Sequence, residues 1–156
     1  MSNLYDTDVL LWSEEQARAL RAAAHGGTNL PIDWENVAEE IESLGKSLAR
    51  ELASRISTIL IHLMKLEASP ANEPRNAWAE TIREQRDEIE RVLKEAPSLR
   101  RTVPGVIGEE HRGARRRVQA ALADYGEQPR VDINALTFTE EQVLDDWFPS
   151  VEHPMP

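Results

Sequence analysis

Cysteine is absent from this chain, which removes disulfides, a thiolate nucleophile and cysteine-type zinc sites at once. Any chemistry must run on oxygen and nitrogen groups. Aromatic residues are almost as scarce, at 5% of 156 positions, and the β-branched residues are scattered rather than alternating with polar ones, so strands are poorly supplied. No apolar run approaches the ~20 residues of a membrane span. The opening stretch MSNLYDTDVLLW has neither a cationic start nor a sustained apolar core, so the expectation is a cytoplasmic protein with no membrane contact. Positive charge is also in short supply. With 18 basic against 28 acidic residues the formal charge is -10, which repels polyanions and makes nucleic acid a poor partner.

What is present is helical periodicity. The length suits one domain over residues 1–150, with a polar, proline-rich tail at 151–156. A first helix is expected from about 8 to 24, or from Ser13, where Ser13 to Gln16 reads as a capping box; His25-Gly26-Gly27 ends it. The second and longest helix opens at Asp33 and reaches about 67. Its apolar positions, Val37, Ile41, Leu44, Leu48, Leu52, Ile56, Ile59, Leu63 and Leu66, recur at the ~3.6 of an ordinary helix rather than the ~3.5 of a coiled-coil seam. At ~1.5 Å per residue it measures roughly 50 Å, long for one small domain, so it either bends near Gly45 or projects at one end.

A third helix is expected from about Pro74 to 96, with Trp78, Ile82 and Ile89 on its core stripe, stopped by Pro97. A short turn follows through 99 to 103. The fourth helix runs from about Gly105 to 125 on a face of Ile107, Ala114, Val118, Leu122 and Tyr125, with Gly126 as its exit. Thr139 to Gln142 is a second capping box, opening a short helix that ends near Trp147 or Phe148. The fold class is therefore all-α: an up-and-down helical bundle of about four main helices plus a short C-terminal helix.

Several polar residues fall inside or beside these apolar stripes. Arg55 and His62 do so on the second helix, Gln85 and Arg86 on the third, and His111 on the fourth, with Glu40 at the margin of the second. They read in two ways. One is a polar interior site, with His62 and His111 as ligands or proton carriers and Arg55 or Arg86 clamping an anion. The other is a hydrogen-bond network that satisfies itself, the commoner fate of buried polar groups in bundles. Metal binding is weakly signalled, because neither His62 nor His111 follows a glutamate by three residues and no two histidines are four apart. The acidic run Glu35, Glu39, Glu40, Glu42 also stops short of a metal-binding E-E-x-x-E helix, since Ser43 stands at its last position. No metal and no cofactor is expected.

Between 97 and 117 six arginines face two glutamates. Among them Arg112, Arg115 and Arg116 are candidates for binding an anion or an acidic partner, or for pairing with the chain's own acids. No glycine-rich phosphate loop or nucleophile elbow is present.

Tyr5-Asp6-Thr7-Asp8 with Trp12, then Asp33-Trp34-Glu35-Asn36-Val37-Ala38-Glu39-Glu40-Ile41-Glu42-Ser43-Leu44-Gly45, form a distinctive pair of segments. With His62-Leu63-Met64-Lys65, Ala77-Trp78 followed by Ile82 and Arg86, and Pro97-Ser98-Leu99, the pattern resembles the bacterial family of domain of unknown function 29. The resemblance spans about Leu4 to Pro149. It departs at Met64 and Ala77, where leucine and serine are more usual, and at Thr137-Phe138-Thr139, which lacks a Phe-Pro pattern. It implies a wholly helical bundle without an assigned activity and, if the family shares a polar centre, matches Glu40, His62, Trp78 and Arg86 to it. Function is thus not assignable from the residues. The first reading is a non-enzymatic interaction or regulatory module that self-associates or binds another protein; the second is a small metal-dependent or anion-binding enzyme.

Overall fold

The computed structural model describes residues 3–150; the expected tail at 151–156 lies outside them. Among the described residues there are six α-helices: α1 (Leu4–Thr7), α2 (Val9–His25), α3 (Trp34–Ala68), α4 (Arg75–Glu95), α5 (Val103–Asp124) and α6 (Glu140–Leu144). Short 3₁₀ helices occupy Pro97–Thr102 and Ile133–Ala135. Four helices are long, the last is short and no strand occurs among the described residues. The all-α class read from the sequence holds. No helix of the described residues is long and apolar enough to cross a membrane.

The described residues divide into two compact units, one of residues 3–52 and 90–102, the other of 53–89 and 103–150. In the first, Asp8 rather than Ser13 starts α2. Its carboxylate accepts from Leu11 N at 2.9 Å and, 90 positions away in sequence, from Ser98 N at 2.7 Å and Ser98 Oγ at 3.1 Å. Burial alone would raise this carboxyl's pKa, but the hydrogen bonds from Leu11 and Ser98 outweigh it and hold the group below the usual carboxylate range. Ser13 sits inside the helix, fully buried, donating to Leu10 O at 2.8 Å. Tyr5 packs edge-on against Trp12, ring centroids 4.9 Å apart. Gly27, at φ +78°, lets the chain leave α2.

Asp33 then accepts from Asn36 N and Asn36 Nδ2, and α3 runs unbroken through Gly45. The glycine serves close approach: a Cβ placed there would lie 2.5 Å from both Ser13 Oγ and Leu10 Cδ1. This approach also sets which face of α3 is inside. In its first half the buried positions are Ala38, Gly45 and Leu52, seven residues apart, whereas Val37 and Leu44, expected in the core, are exposed. Small residues admit α2 and turn the larger ones outward. Arg21 ties the two helices through Glu35 at 3.0 Å and Glu42 at 2.6 Å. Lys46 and Arg21 together hold the Glu42 carboxyl at about 2.

In the second unit Ile56, Ile59, Leu60, Leu63 and Met64 of α3 are fully buried, as are Ile82 and Ile89 of α4, Val118 of α5 and Val143 of α6. Helix α5 starts two residues earlier than the sequence suggested, taking Pro104 into its first turn, where a missing N–H costs nothing. It ends as expected. Gly126, at φ +64°, allows Glu127 N to donate to Leu122 O at 2.9 Å. The capping box at Thr139 and Gln142 is present in both directions, but α6 stops at Leu144, short of Trp147.

Candidate functional site

After α5 the chain has little regular structure, so its backbone groups must find partners elsewhere. Three side chains that the sequence singled out supply them. His111, buried on α5, donates from Nδ1 to Ile107 O at 2.6 Å and accepts at Nε2 from Phe138 N at 3.0 Å. Its ring lies nearly parallel to that of Phe138, centroids 6.3 Å apart. Arg115 donates twice to Leu136 O, at 3.1 and 2.7 Å. Arg86 on α4 gathers three carbonyls, those of Val143 (2.9 Å), Gln142 (2.9 Å) and Trp147 (2.7 Å), while its guanidinium lies 4.9 Å from the Phe148 ring centroid. Phe148 thus rests against two arginines, with Arg83 at 5.0 Å.

This arrangement determines what the groups can do. Both nitrogens of His111 are engaged, one as donor and one as acceptor, which defines a neutral ring with the proton on Nδ1 and leaves no lone pair for a metal. Burial lowers its pKa, and the Arg115 charge adds to the effect against the hydrogen bond to Ile107. His62, half-buried on α3, donates from Nδ1 to Thr58 O at 2.8 Å. Its pKa is likewise lowered, chiefly by burial and further by Lys65. Among the described residues no three His, Asp or Glu side chains are placed to hold a metal ion.

The remaining candidates are dispersed. Arg55 and Gln85 do meet, Nη1 to Oε1 at 3.1 Å, and Glu88 completes the group at 3.5 Å from Arg55 Nη2. Trp78 is half-buried under the Lys65 ammonium, 5.7 Å from its ring centroid. Glu40 is exposed in the first unit, away from any interior. Arg112 and Arg116 are exposed, while Arg115 turns onto Leu136, so the three do not form one clamp.

Two features escaped the sequence reading. One is the tie between Asp8 and Ser98, for which a capping aspartate is the only local signal. The other is a cleft of about 220 Å³ at the C-terminal ends of α3 and α5 and the start of α4, lined by Lys65, Pro74, Trp78, Ala121, Leu122, Tyr125 and Glu127. Tyr125, expected on the core face of α5, is 82% exposed at its rim.

The model of the family described as domain of unknown function DUF29 matches residues 4–148. The chain belongs to the DUF29 family. The fold agrees with a solved relative, an α-helical protein of unknown function from Rhodospirillum rubrum. That protein is 26% identical, with a TM-score of 0.76 over 96% of this chain and 94% of its own. No curated protein matches the chain. In this DUF29 chain the segments Tyr5 to Asp8 and Pro97 to Leu99, which carry part of the resemblance, meet through the Asp8 carboxylate. Arg86, which also carries it, holds the last described turn.

Proposed function

We propose that this chain is a non-enzymatic protein-interaction module whose contact surface is the outer face of the first half of α3 with the loop before it. Its partner is a basic, amphipathic segment of another protein. One observation carries the reading: Val37, Glu40 and Leu44 share a helix face by their spacing, and all three point outward, Leu44 at 52% exposure. Leu30, 60% exposed, and Ile32 add exposed apolar surface on the loop before α3. Glu39 and Glu40 beside it have no ion-pair partner among the described residues. An apolar strip edged by unpaired carboxylates suits a helix carrying apolar residues and lysines, and a chain of -10 attracts such a segment while repelling nucleic acid and anionic membranes. A cytoplasmic setting belongs to the same proposal.

The enzymatic alternative, built on His62, His111, Arg55 and Arg86, has less behind it: His111 and Arg86 spend their hydrogen bonds on backbone atoms of this chain, and Arg55 is met by Gln85 and Glu88. The test uses synthetic helical peptides with leucine on one face and either lysine or glutamate on the other, followed by fluorescence anisotropy. The lysine peptide is expected to bind, more weakly as salt rises, and to lose at least about tenfold in affinity on Leu44→Glu or Glu40→Lys. Equal binding of both peptides, or indifference to these variants, overturns the proposal. So does a stable dimer by light scattering that Leu44→Glu dissociates, since that result gives the face to a second copy.

A further inference from the structure

The second unit carries an independent feature in the cleft beside Trp78. Its walls are mainly apolar, from Pro74, Trp78, Leu122 and Tyr125, yet it has one group of each charge, Lys65 and Glu127. Opposite charges on one small cleft would ordinarily pair. Here they do not: among the described residues neither has an ion-pair partner, the ammonium lying over the Trp78 ring and the carboxylate accepting from Ser69 Oγ at 2.7 Å.

Both groups are held in place by the fold. Glu127 follows the left-handed Gly126, and its backbone N–H is fixed to Leu122 O. Ser69, fully buried, donates to the Glu127 carboxylate while accepting from Ala71 N at 3.1 Å, so its hydroxyl has a single orientation. The end of α3 beneath them is closed by Arg75, donating to Leu66 O, and by Arg130 N, donating to Ala68 O at 2.8 Å. The carboxylate is therefore positioned before any ligand arrives, which limits the entropy lost on binding. On the other side an aromatic face and a lysine stem supply contact area at little conformational cost.

We infer that this cleft binds a small zwitterion with an apolar side chain, an α-amino acid of the aromatic or branched type. Its ammonium pairs with Glu127, its carboxylate pairs with Lys65, and its side chain lies against Trp78 and Pro74. Size supports the assignment, because about 220 Å³ is below the roughly 300–1,000 Å³ of sites for drug-sized ligands. A nucleotide is too large for such a space, and a simple anion or cation would leave one of the two charges without a counterpart. The exposed Tyr125 ring at the rim is placed to cover the occupant.

The test is titration of the full chain with L-phenylalanine and L-leucine, followed by the Trp78 indole signal in NMR and by calorimetry. Phenethylamine, which lacks the carboxylate, and 3-phenylpropionate, which lacks the ammonium, serve as comparisons. The amino acids should shift the Trp78 signal saturably, and each single-charge analogue should bind at least about tenfold more weakly, the equivalent of one charged hydrogen bond. Glu127→Gln keeps an oxygen to accept from Ser69 and removes only the charge; Lys65→Met keeps the stem. Each variant should weaken amino-acid binding by a similar factor, and circular dichroism should show each still folded with its helix content intact. The inference is overturned if Trp78 does not respond, if an analogue equals the amino acid, or if both variants bind as the natural chain does.

Discussion

Gly45 of α3 lies directly against Ser13 of α2, so close that a methyl group at position 45 would come within 2.5 Å of the serine hydroxyl. Leu10 Cδ1 is equally near and Leu10 Cα is at 3.3 Å, which leaves little room for adjustment. In an open helix Gly→Ala is worth about 1 kcal/mol of stabilisation. Here overpacking costs about 1–3 kcal/mol and wins. Gly45→Ala should therefore lower the urea midpoint, and Gly45→Val should lower it further. Adding Ser13→Gly to Gly45→Ala should recover part of the loss; an alanine variant more stable than the natural chain contradicts the close approach.

Asp8 joins the start of α2 to the 3₁₀ turn at Pro97–Thr102 through both polar atoms of Ser98. Its replacement by alanine removes a helix cap and leaves Ser98 N without its acceptor, costing about 2–3 kcal/mol in equilibrium unfolding. Ser98→Ala removes the hydroxyl alone and should cost about 1 kcal/mol. Because the Asp8 carboxyl is held below its ordinary value, its contribution is full above the carboxylate range. It fades as pH falls through the lowered native value. Asp8→Asn should flatten the acid limb of the stability curve.

Neutral His111 and His62 impose a second pH dependence, at higher pH. Burial lowers both pKa values in the native state, while the unfolded chain titrates near about 6.5. Between these values the unfolded chain binds more protons, so stability rises with pH. The contribution is complete above about pH 7 and declines as pH falls through 6.5, by at most about 1.4 kcal/mol per pH unit for each ring. Urea midpoints at pH 7.5 and 5.5 should differ in that direction. His111→Gln should shrink the difference; an unchanged difference assigns the effect elsewhere.

Arg86→Lys tests whether charge or shape anchors the C-terminal segment. A lysine ammonium cannot reproduce a planar fork that serves the carbonyls of Gln142, Val143 and Trp147 together. Losing the fork should cost about 1–3 kcal/mol for each carbonyl left without a donor. Amide hydrogen exchange is the sharper readout. Protection should fall across 138–148 in the variant, whereas protection of α2 should not change.

Helix boundaries were legible wherever a residue does one local job. Thr139 caps α6, Gly27 and Gly126 turn the chain out of their helices, and Asp33 precedes α3. The readings that failed depend on neighbours distant in sequence. Ser13 looks like a cap in isolation but is a small residue under Gly45, and this contact exposes Val37 and Leu44 in place of Ala38. Of the candidate polar centre, the sequence identified that Arg86 and His111 reach inward. It carried no information on what meets them, because the acceptors and donor are backbone groups of 138–147, and a backbone group has no signature in residue type. The cleft was hidden for a similar reason, since Lys65, Trp78 and Glu127 come from three separate stretches of chain.

Arg86 also makes the segment from Gln142 to Phe148 structurally consequential. Shortening the chain ahead of Gln142 removes the carbonyls of Gln142, Val143 and Trp147 that the guanidinium holds and the Phe148 ring beside it. The same cut removes fully buried Val143 and opens the interior it fills to water, a penalty larger than the length of the deleted segment suggests. Expression designs that trim the C terminus before that residue should yield insoluble or partly folded material, although what they delete is mostly irregular chain.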